Sequence, residues 1–286
     1  MAGLSRAVLP LIRLALREDQ ASRDITSTAV LPATARVRAR IVARTAGILA
    51  GGEAAGWVFR AVDRRVRYRV RRRDGAAVRP GEVLATVNGA ARSVFAAERT
   101  VLNLLGHLSG IATLTHAYVQ RVRNTQAKIY DTRKTLPGLR ALEKYAVRAG
   151  GGRSHRGSLA EAVLVKTNHL RALQRMGLSR PAAIREAVRR ARRRVPGKWL
   201  EVEAATLADV RAALAARPDA ILLDNMTVRA VRTAVRLRGR ARTALEVSGG
   251  ITLANVRAYA RAGVDRISVG RLTHSAPALD VSLEVT

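Results

Sequence analysis

The sequence predicts an α/β protein in two parts, a mixed α+β region followed by a barrel of parallel βα units. After residue 125, short apolar strands alternate with amphipathic helices, as is typical of parallel βα units. Before that point, residues 36–41 and 66–71 alternate basic and apolar side chains, which indicates strands with one solvated face. Regular spacing without a dinucleotide-binding glycine motif favours a closed barrel over a doubly wound open sheet.

The predicted elements follow the chain in order. In the first part we expect a helix ending near Leu16, a loop over 18–27, and strands over 36–43, 66–72 and 83–87. Two helices, 96–108 and 112–123, follow with a glycine break between them. The predicted barrel strands are 127–131, 162–166, 200–204, 220–224, 244–247 and 266–269, and the helices between them are 139–148, 182–194, 207–216, 228–237 and 253–262. We expect a first domain over 1–110, a barrel domain over 111–274, and a tail over 275–286 that packs back on the first.

Composition limits the function classes. Hydrophobic residues make up 48% of the chain, enough for a core, and the absence of cysteine excludes disulfides, thiolate metal sites and a cysteine nucleophile. No apolar run is long enough to span a bilayer, and the N-terminal segment is typical of an amphipathic helix and not of a signal peptide. These features predict a cytoplasmic protein with no membrane contact.

The net charge of +31 has two explanations. Arginine is spread along the whole chain and alternates with apolar residues, which favours solvated faces; the basic run over 189–194 ends a predicted helix, where the dipole favours cations. A polyanion-binding surface is the alternative. Aromatic residues, which stack on bases, are only 3%, so nucleic acid is the less favoured partner.

Polar residues follow every predicted barrel strand. The carboxyl ends of barrel strands form the active face, so these residues are expected to converge. They are the segments 131–134, 166–169, 201–203, 224–225, 246–250 and 269–271. Lysine and arginine are seldom buried without an anionic partner, so their convergence predicts a pocket for a small, multiply anionic substrate. The structural alternatives are an ion pair between Lys166 and Asp224, and Glu201 as the cap of a strand end.

Each group at this face has an expected chemistry. The pair His155 and Arg156 is expected to clamp an anion, and the N–H groups of Ser248-Gly249-Gly250 and Gly270 to hold a phosphate. The carboxylates of Glu203 and Asp224 are expected to hold Mg²⁺ or the hydroxyls of a sugar. We find no residue spacing typical of catalytic zinc and no indication of a Ser-His-Asp triad.

These motifs together resemble quinolinate phosphoribosyltransferases over nearly the whole chain. The resemblance is carried by 18–19 with 23–26, 97–103 with 108–113, 131–138, 143–147, 150–156, 223–226, 248–251 and 272–275. It implies an N-terminal α/β sandwich and an incomplete TIM-like barrel of six to seven strands, the type II phosphoribosyltransferase fold. It also implies that quinolinate and phosphoribosyl pyrophosphate give nicotinate mononucleotide, pyrophosphate and CO₂, with Mg²⁺, in NAD biosynthesis.

The resemblance also implies roles for individual residues. Residues expected around the quinolinate dicarboxylate are Arg99, Arg133, Lys134, His155, Arg156 and Lys166. Those expected at the ribose phosphate and its metal are Glu203, Asp224, Ser248, Gly249 and Gly270, with Thr132, Gly250, Ser268 and His274 as further substrate-binding positions. The catalytic assignments are Lys134, Lys166, Glu203 and Asp224. The implied assembly is a homodimer in which Arg99 of one subunit completes the other's site; assembly to a hexamer is left open.

Four positions depart from the family pattern. They are Ala149, where a cysteine is common, Ser154 in place of Asn, Ser158 in place of Gly, and Thr167 in place of Asp. The substrate-binding charges are retained, so the departures bear on rate more than on reaction class. Two alternatives stay open: a molybdenum-transport-associated paralogue of the same fold with altered or lost activity, and a basic nucleic-acid-binding protein.

Overall fold

The computed structural model describes residues 2–286, and all side chains in that range except those of residues 2, 3, 5 and 6. The chain divides into two compact units. One runs up to His116 and includes Lys134–Gly152 and Arg271–Thr286; the other comprises Ala117–Arg133 and Arg153–Gly270. Neither unit is continuous in sequence, so the predicted domain boundary near residue 110 stays a prediction.

The elements in chain order show how helices and strands alternate. Up to residue 122 they are α1 (Ala2–Glu18), a 3₁₀ helix (Ala21–Arg23), α2 (Ile25–Val30), β1 (Arg36–Ala43), β2 (Gly47–Ile48), α3 (Gly52–Val62), β3 (Arg67–Val70), β4 (Ala77–Val78), β5 (Val83–Ala90) and α4 (Ala91–Val122). Beyond it they are β6 (Lys128–Tyr130), α5 (Arg140–Ala149), β7 (Val163–Val165), α6 (Thr167–Arg175), α7 (Arg180–Arg194), β8 (Leu200–Ala204), α8 (Leu207–Ala216), β9 (Ala220–Asp224), α9 (Val228–Arg238), β10 (Ala244–Ser248), α10 (Val256–Arg261), β11 (Arg266–Ser268), α11 (Arg271–His274) and β12 (Val281–Val285).

The first unit is built on an antiparallel sheet in the order β12-β1-β5-β3. Alternate residues of β1, such as Ala39 and Ile41, are buried, while the arginines between them are exposed. The buried face carries the core of this unit, which includes Trp57 and Phe59 of α3, and Phe59 stacks on Tyr68. The C-terminal tail supplies the edge strand β12, which pairs with β1 in antiparallel register.

The second unit is a parallel sheet of six strands in the order β6-β11-β10-β9-β8-β7. Its strands are short and apolar, and helices follow them along the chain. Next to β6, Tyr130 and Arg153 form an isolated parallel bridge, so a seventh strand position is present only as a single residue pair. This is the incomplete α/β barrel that the sequence predicts, and the fold class is confirmed.

Some predictions of local structure were wrong. α4 is one continuous helix of 32 residues, without a break at Gly110. A side chain on Gly110 would collide with the backbone oxygen of Pro277, so this glycine permits the C-terminal segment to approach the helix. α2 begins inside the predicted loop with Asp24 as its N-cap, whose side chain accepts from Ser27 N. α3 and α6 were not predicted either.

Among the described residues, none of the helices combines the length and apolar character that a membrane span requires.

Candidate active site

The carboxyl ends of the six parallel strands meet at one rim of the barrel unit. Strand register places Asp224 opposite Ser248, and Ser248 opposite Ser268, on three adjacent strands. Glu203 lies two residues lower in the register, opposite Leu222, and so faces the same side of the sheet. Because side chains alternate along a strand, residues in the same row face the same side of the sheet. The rim therefore gathers the predicted site residues of this unit: Thr132, Arg133, His155, Arg156, Lys166, Glu203, Asp224, Ser248, Gly249, Gly250, Ser268 and Gly270.

A cluster of buried charges lies below this rim. His155 Nε2 is 3.0 Å from Glu201 Oε2 and 3.4 Å from Glu246 Oε1. Glu201 and Glu246 stand on β8 and β10, which are separated by β9, so the three side chains meet inside the curved sheet. Ser268 Oγ donates to Glu246 Oε1 at 2.5 Å, and both carboxylates are fully buried. We call His155, Glu201, Glu246, Ser268 and Arg266 the interior cluster; His155 and Ser268 belong to rim segments, but their side chains bond to the buried glutamates.

Arg266 completes the charge balance of the interior cluster. Its Nε lies 2.6 Å from Glu246 Oε2, an ion pair in which the N–H does not point along the line to the oxygen. The guanidinium also lies 4.0 Å from the centre of the Tyr130 ring and 5.5 Å from that of Trp199. Two basic side chains, His155 and Arg266, thus face the two acidic ones, so the charge of Glu246 is compensated as buried charges require.

One proton can sit on either His155 or Glu201, and both placements give the interior cluster the same net charge. Burial alone would lower the pKa of His155, but its hydrogen bonds to Glu201 and Glu246 raise it to about 9, which indicates an imidazolium. The backbone N–H of Arg156, however, donates to His155 Nδ1 at 2.8 Å, which requires an imidazole protonated at Nε2 alone. Burial and the neighbouring Glu246 raise the pKa of Glu201, so its carboxyl can hold the second proton. The hydrogen bond from Arg156 favours this neutral form.

The same tautomer decides whether the cluster could hold a metal ion. The ligand atoms of His155, Glu201 and Glu246 lie within 4.8 Å of one another. Because His155 Nδ1 accepts an N–H, its proton is on Nε2, and that nitrogen cannot also ligate a metal. Arg266 already neutralises Glu246. The interior cluster is therefore a buried ion network and not a metal centre.

Two arginines of the rim lie close together. Burial and the nearby Arg133 lower the pKa of Arg156, whose guanidinium donates to Ala162 O at 3.0 Å. Arg133 Nε is buried and has no hydrogen-bond partner among residues 2–286. A buried donor without an acceptor costs on the order of 1–3 kcal/mol, and an anion bound between the two guanidinium groups would remove that cost.

Hydrogen bonds to β6 and to Asp131 hold the loop that carries His155 and Arg156 in place. Asp131 is fully buried at the end of β6, and its Oδ1 accepts the N–H of His155 at 2.8 Å. The backbone of Arg153 bonds to both Ile129 and Asp131. Asp131 therefore positions the loop, a role that its place in the motif 131–134 did not reveal.

Gly249 and Gly250 form a turn that only glycine fits comfortably. Both have positive φ, 93° and 62°. A side chain on Gly249 would also collide with the Asn225 side chain. The turn is closed by Asn255, which donates from Nδ2 to Gly250 O at 2.9 Å. Among the hydrogen bonds of the described residues, none uses the N–H of Gly249 or Gly250. These two donors are available for a phosphate.

Glu203, Asp224 and Lys166 supply the remaining charges of the rim. Glu203 Oε1 accepts the N–H of Thr167, the first residue of α6, at 3.1 Å. Asp224 is half-buried at the end of β9, and Lys166 is exposed. The described residues show no ion pair between Lys166 and Asp224, so the structural alternative for Lys166 is wrong. Nor does Glu201 cap a strand end, since it belongs to the interior cluster.

Three predicted site residues belong to the first unit. Arg99 is exposed on α4 and lines a cavity of about 450 Å³ with residues of α1, among them Glu18 and Asp19. The backbone oxygen of Lys134 accepts from Thr273 Oγ1 at 2.6 Å. His274 is exposed, with Nδ1 2.7 Å from Ser275 Oγ. Their roles at a substrate stay predictions.

The sequence analysis missed the part that Glu246 and Arg266 play. The signal was the two-residue spacing of Glu201 and Glu203 in β8 and of Glu246 and Ser248 in β10, which places one polar residue of each strand a full layer below the rim. His155 was expected to clamp a substrate anion. The structure directs its Nε2 to carboxylates instead, and its contact with a substrate stays a prediction.

Comparison with known families gives a match over both units. The family model described as quinolinate phosphoribosyl transferase, N-terminal domain, matches residues 24–109, and the corresponding C-terminal domain matches residues 111–284.

Relatives and solved structures agree with these matches. A nicotinate-nucleotide pyrophosphorylase [carboxylating] of Mycobacterium leprae is 47% identical over 281 residues, covering 96% of this chain and 95% of its own. A probable enzyme of the same name from Bacillus subtilis is 41% identical, and the match covers 94% of this chain and 90% of that protein. The structure of the nicotinate-nucleotide pyrophosphorylase from Francisella tularensis superimposes with a TM-score of 0.90 at 36% identity. The match covers 99% of this chain and 97% of that one.

Proposed function

Because the chain belongs to the quinolinate phosphoribosyl transferase family, we propose that it joins the ring nitrogen of quinolinate to the anomeric carbon of phosphoribosyl pyrophosphate. The products are nicotinate mononucleotide, pyrophosphate and CO₂. The chain is thus a phosphoribosyltransferase of NAD biosynthesis, and no finding favours the transport-associated paralogue.

The observation that carries the assignment to the rim is the pair Arg133 and Arg156. Quinolinate has two adjacent carboxylates, and guanidinium groups bind carboxylates through paired N–H donors. The buried Nε of Arg133 lacks an acceptor among the described residues, and burial together with the neighbouring Arg133 lowers the pKa of Arg156. A dicarboxylate satisfies both conditions, since it supplies acceptors and two negative charges.

The ribose phosphate is proposed to bind at the turn after β10, two strands along the sheet from β6. The free N–H groups of Gly249 and Gly250 would donate to the 5′-phosphate, with Ser248, Ser268 and Gly270 beside them. This placement aligns the sugar with the quinolinate pocket. The protein's contribution is then mainly positioning and charge stabilisation, because ring nitrogen and anomeric carbon must be held in line.

The enzymes of this family are phosphoribosyltransferases, and Mg²⁺ is the proposed metal. Glu203 and Asp224 fit it, because carboxylate oxygens are the hard ligands that Mg²⁺ prefers. Glu203 Oε1 accepts a single N–H, which leaves Oε2 for a metal or a sugar hydroxyl. A bound Mg²⁺ supplies neutralisation of the pyrophosphate charge.

The protein residues support each bond change. Ring-nitrogen attack breaks the bond between the anomeric carbon and pyrophosphate, and Lys166 and Lys134 are proposed to neutralise the departing oxygens. Glu203 and Asp224 favour the positive charge that develops on the ribose. The resulting pyridinium ring accepts the electron pair when the 2-carboxylate leaves as CO₂, and carbon 2 then takes up a proton.

The proposed assembly is a homodimer with shared sites. Arg99 is exposed on α4 and is proposed to reach the quinolinate pocket of the second subunit. Mixing inactive Arg99→Ala and Lys166→Ala proteins should restore activity. In each mixed dimer, one of the two sites then contains both an intact Arg99 and an intact Lys166. If no mixing ratio restores activity, Arg99 does not act across subunits.

The direct test of function is product formation from quinolinate, phosphoribosyl pyrophosphate and Mg²⁺, with nicotinate in parallel. We expect CO₂ and nicotinate mononucleotide in equal amounts from quinolinate, and no product from nicotinate. Turnover of nicotinate alone would contradict the assigned substrate. A folded dimer that turns over neither would contradict the assigned activity.

A further inference from the structure

The outward face of the first unit's sheet carries an ordered array of arginines. Arg38 and Arg40 lie on β1, and Arg67 and Arg69 lie on β3, with β5 between the two strands. All four are exposed, and with Arg71 they line a shallow concavity of about 440 Å³. We call these five residues the arginine face.

Strand register fixes the spacing of the array. Arg38 and Arg67 both pair with Asn88, while Arg40 and Arg69 both pair with Thr86. Each arginine is therefore about 7 Å from the next along its strand, and the two rows are about 10 Å apart. The central row carries the uncharged hydrogen-bonding side chains of Thr86 and Asn88. The result is two parallel rows of cations separated by neutral polar groups.

The arginine face lacks the partners that other arginines of the chain have. Arg44, Arg72 and Arg180 pair with carboxylates at 2.8, 2.6 and 3.0 Å. Within the part of the chain that the structure describes, no carboxylate side chain lines the concavity, and none of its five arginines forms an ion pair. The Glu284 carboxylate, opposite Arg40 in register, is engaged by Arg44, and Thr286, whose N–H donates to Arg38 O, also lines the concavity. A polyanion would supply the missing charge.

Side-chain chemistry distinguishes the classes of polyanion. Protein interfaces place apolar and aromatic anchors at their centre, and membrane-surface elements insert apolar side chains. The arginine face offers neither: its central row is Thr86 and Asn88, and the nearby ring of Tyr68 packs on Phe59. Stacking on single-stranded bases needs aromatic rings as well. A duplex backbone needs only cations, and its grooves are roughly 6 to 12 Å wide, which brackets the row spacing.

We propose that the arginine face binds the phosphodiester backbone of duplex nucleic acid without reading its sequence. The two rows contact phosphates on the two strands that border one groove, and Thr86 and Asn88 donate between them. The proposal is independent of the proposed enzymatic function, because none of these residues lies at the barrel rim. The low aromatic content of the chain does not oppose it, since backbone binding requires no stacking.

The test is binding of a labelled 20-base-pair duplex to the full-length protein over a salt series. With about five phosphates neutralised, log K should fall against log salt with a slope of about −4.5, roughly a 500-fold loss between 50 and 200 mM. In the variant Arg38→Gln, Arg40→Gln, Arg67→Gln, Arg69→Gln the slope should fall to about −1, whereas enzymatic turnover should be unchanged. The fourfold Lys variant should keep the slope within about one unit of wild type, because phosphate contacts need the charge.

A matched control removes the same charge elsewhere. Arg193, Arg194, Arg229 and Arg232 are exposed, and their change to Gln should leave the slope near the wild-type value. Equal losses in both Gln variants would overturn the proposal, because overall charge would then be sufficient. Tighter binding to polyglutamate, to inorganic polyphosphate or to anionic phosphatidylserine vesicles than to the duplex at equal salt would also overturn it.

Discussion

The interior cluster and the barrel rim use the same kinds of charge in opposite ways. Inside the barrel, Glu246 has basic partners in His155 and Arg266 and a hydroxyl partner in Ser268. At the rim, Arg133 has a buried Nε with no acceptor in the described part of the chain, and a second guanidinium is its neighbour. Charges that the fold pairs internally stabilise the barrel, and charges that it leaves unpaired are available for a substrate. The four predictions that follow test this distinction.

The largest expected effect is loss of stability on Glu246→Gln. Burial alone would raise the pKa of Glu246, but His155 and Arg266 hold it below its ordinary value, so the carboxylate is charged in the folded state. Breaking a buried ion pair costs about 3–5 kcal/mol because the partner charge is left uncompensated. Urea unfolding should show this loss. The control Glu186→Gln removes a carboxylate from the surface of α7 and should leave the unfolding midpoint nearly unchanged; equal effects would contradict a role for the interior pairing.

The second prediction concerns substrate binding by the rim. Arg133→Ala should weaken quinolinate binding by about 2–5 kcal/mol, the effect of losing one partner of a desolvated charge pair. Calorimetric titration with quinolinate measures this, and Arg232→Ala on α9 serves as a control exposed to solvent. Unchanged affinity in Arg133→Ala would remove Arg133 from the quinolinate pocket.

A third prediction separates backbone strain from crowding at the phosphate turn. Gly249→Ala should cost about 1–3 kcal/mol of strain at φ 93°, and it also collides with Asn225. The Michaelis constant for phosphoribosyl pyrophosphate should rise more than that for quinolinate. Gly250→Ala is the matched control, since its φ is also positive but no described atom lies within 4 Å of the added methyl group. If Gly250→Ala impairs the enzyme as strongly, crowding by Asn225 is not the cause.

The smallest expected effect is a loss of stability at alkaline pH. In the folded state the His155–Glu201 pair holds one proton, and the hydrogen bonds to Glu201 and Glu246 raise the pKa of His155 to about 9, above its unfolded value of about 6.5. The stabilisation is therefore complete below about pH 6.5 and is lost as pH rises through about 9. Thermal unfolding between pH 6 and 10 should show the decline, and His155→Gln should flatten it. If stability declines with pH at the same slope in both proteins, a group other than His155 releases the proton.

The barrel strands were easier to predict than the chemistry inside them. Strands β8 and β9 and helix α8 occupy the predicted ranges, because continuous apolar runs and amphipathic periodicity are local properties. Gly110 was misjudged, since its reason is a contact with Pro277 far along the chain. α3 was missed for a similar reason: its first turn is fixed by Asp74, which accepts the N–H groups of Gly51 and Gly52.

The site was predictable at the level of residue types and not of partners. The rim residues follow from strand ends, which the sequence marks with polar clusters. The direction of His155 does not, because it depends on Glu201 and Glu246 meeting across an intervening strand. A position in sequence identifies a charged residue, whereas only the fold decides whether another charge neutralises it.

The most direct test of the distinction is the unfolding free energy of Arg133→Gln, with and without saturating quinolinate. Without quinolinate the variant should be as stable as wild type or slightly more so, since repulsion with Arg156 is relieved. Quinolinate at 100 times its dissociation constant should stabilise wild type by about 2.7 kcal/mol and the variant hardly at all. A variant that is less stable without quinolinate, and still stabilised by it, would show that Arg133 belongs to the internal pairing and would contradict the account.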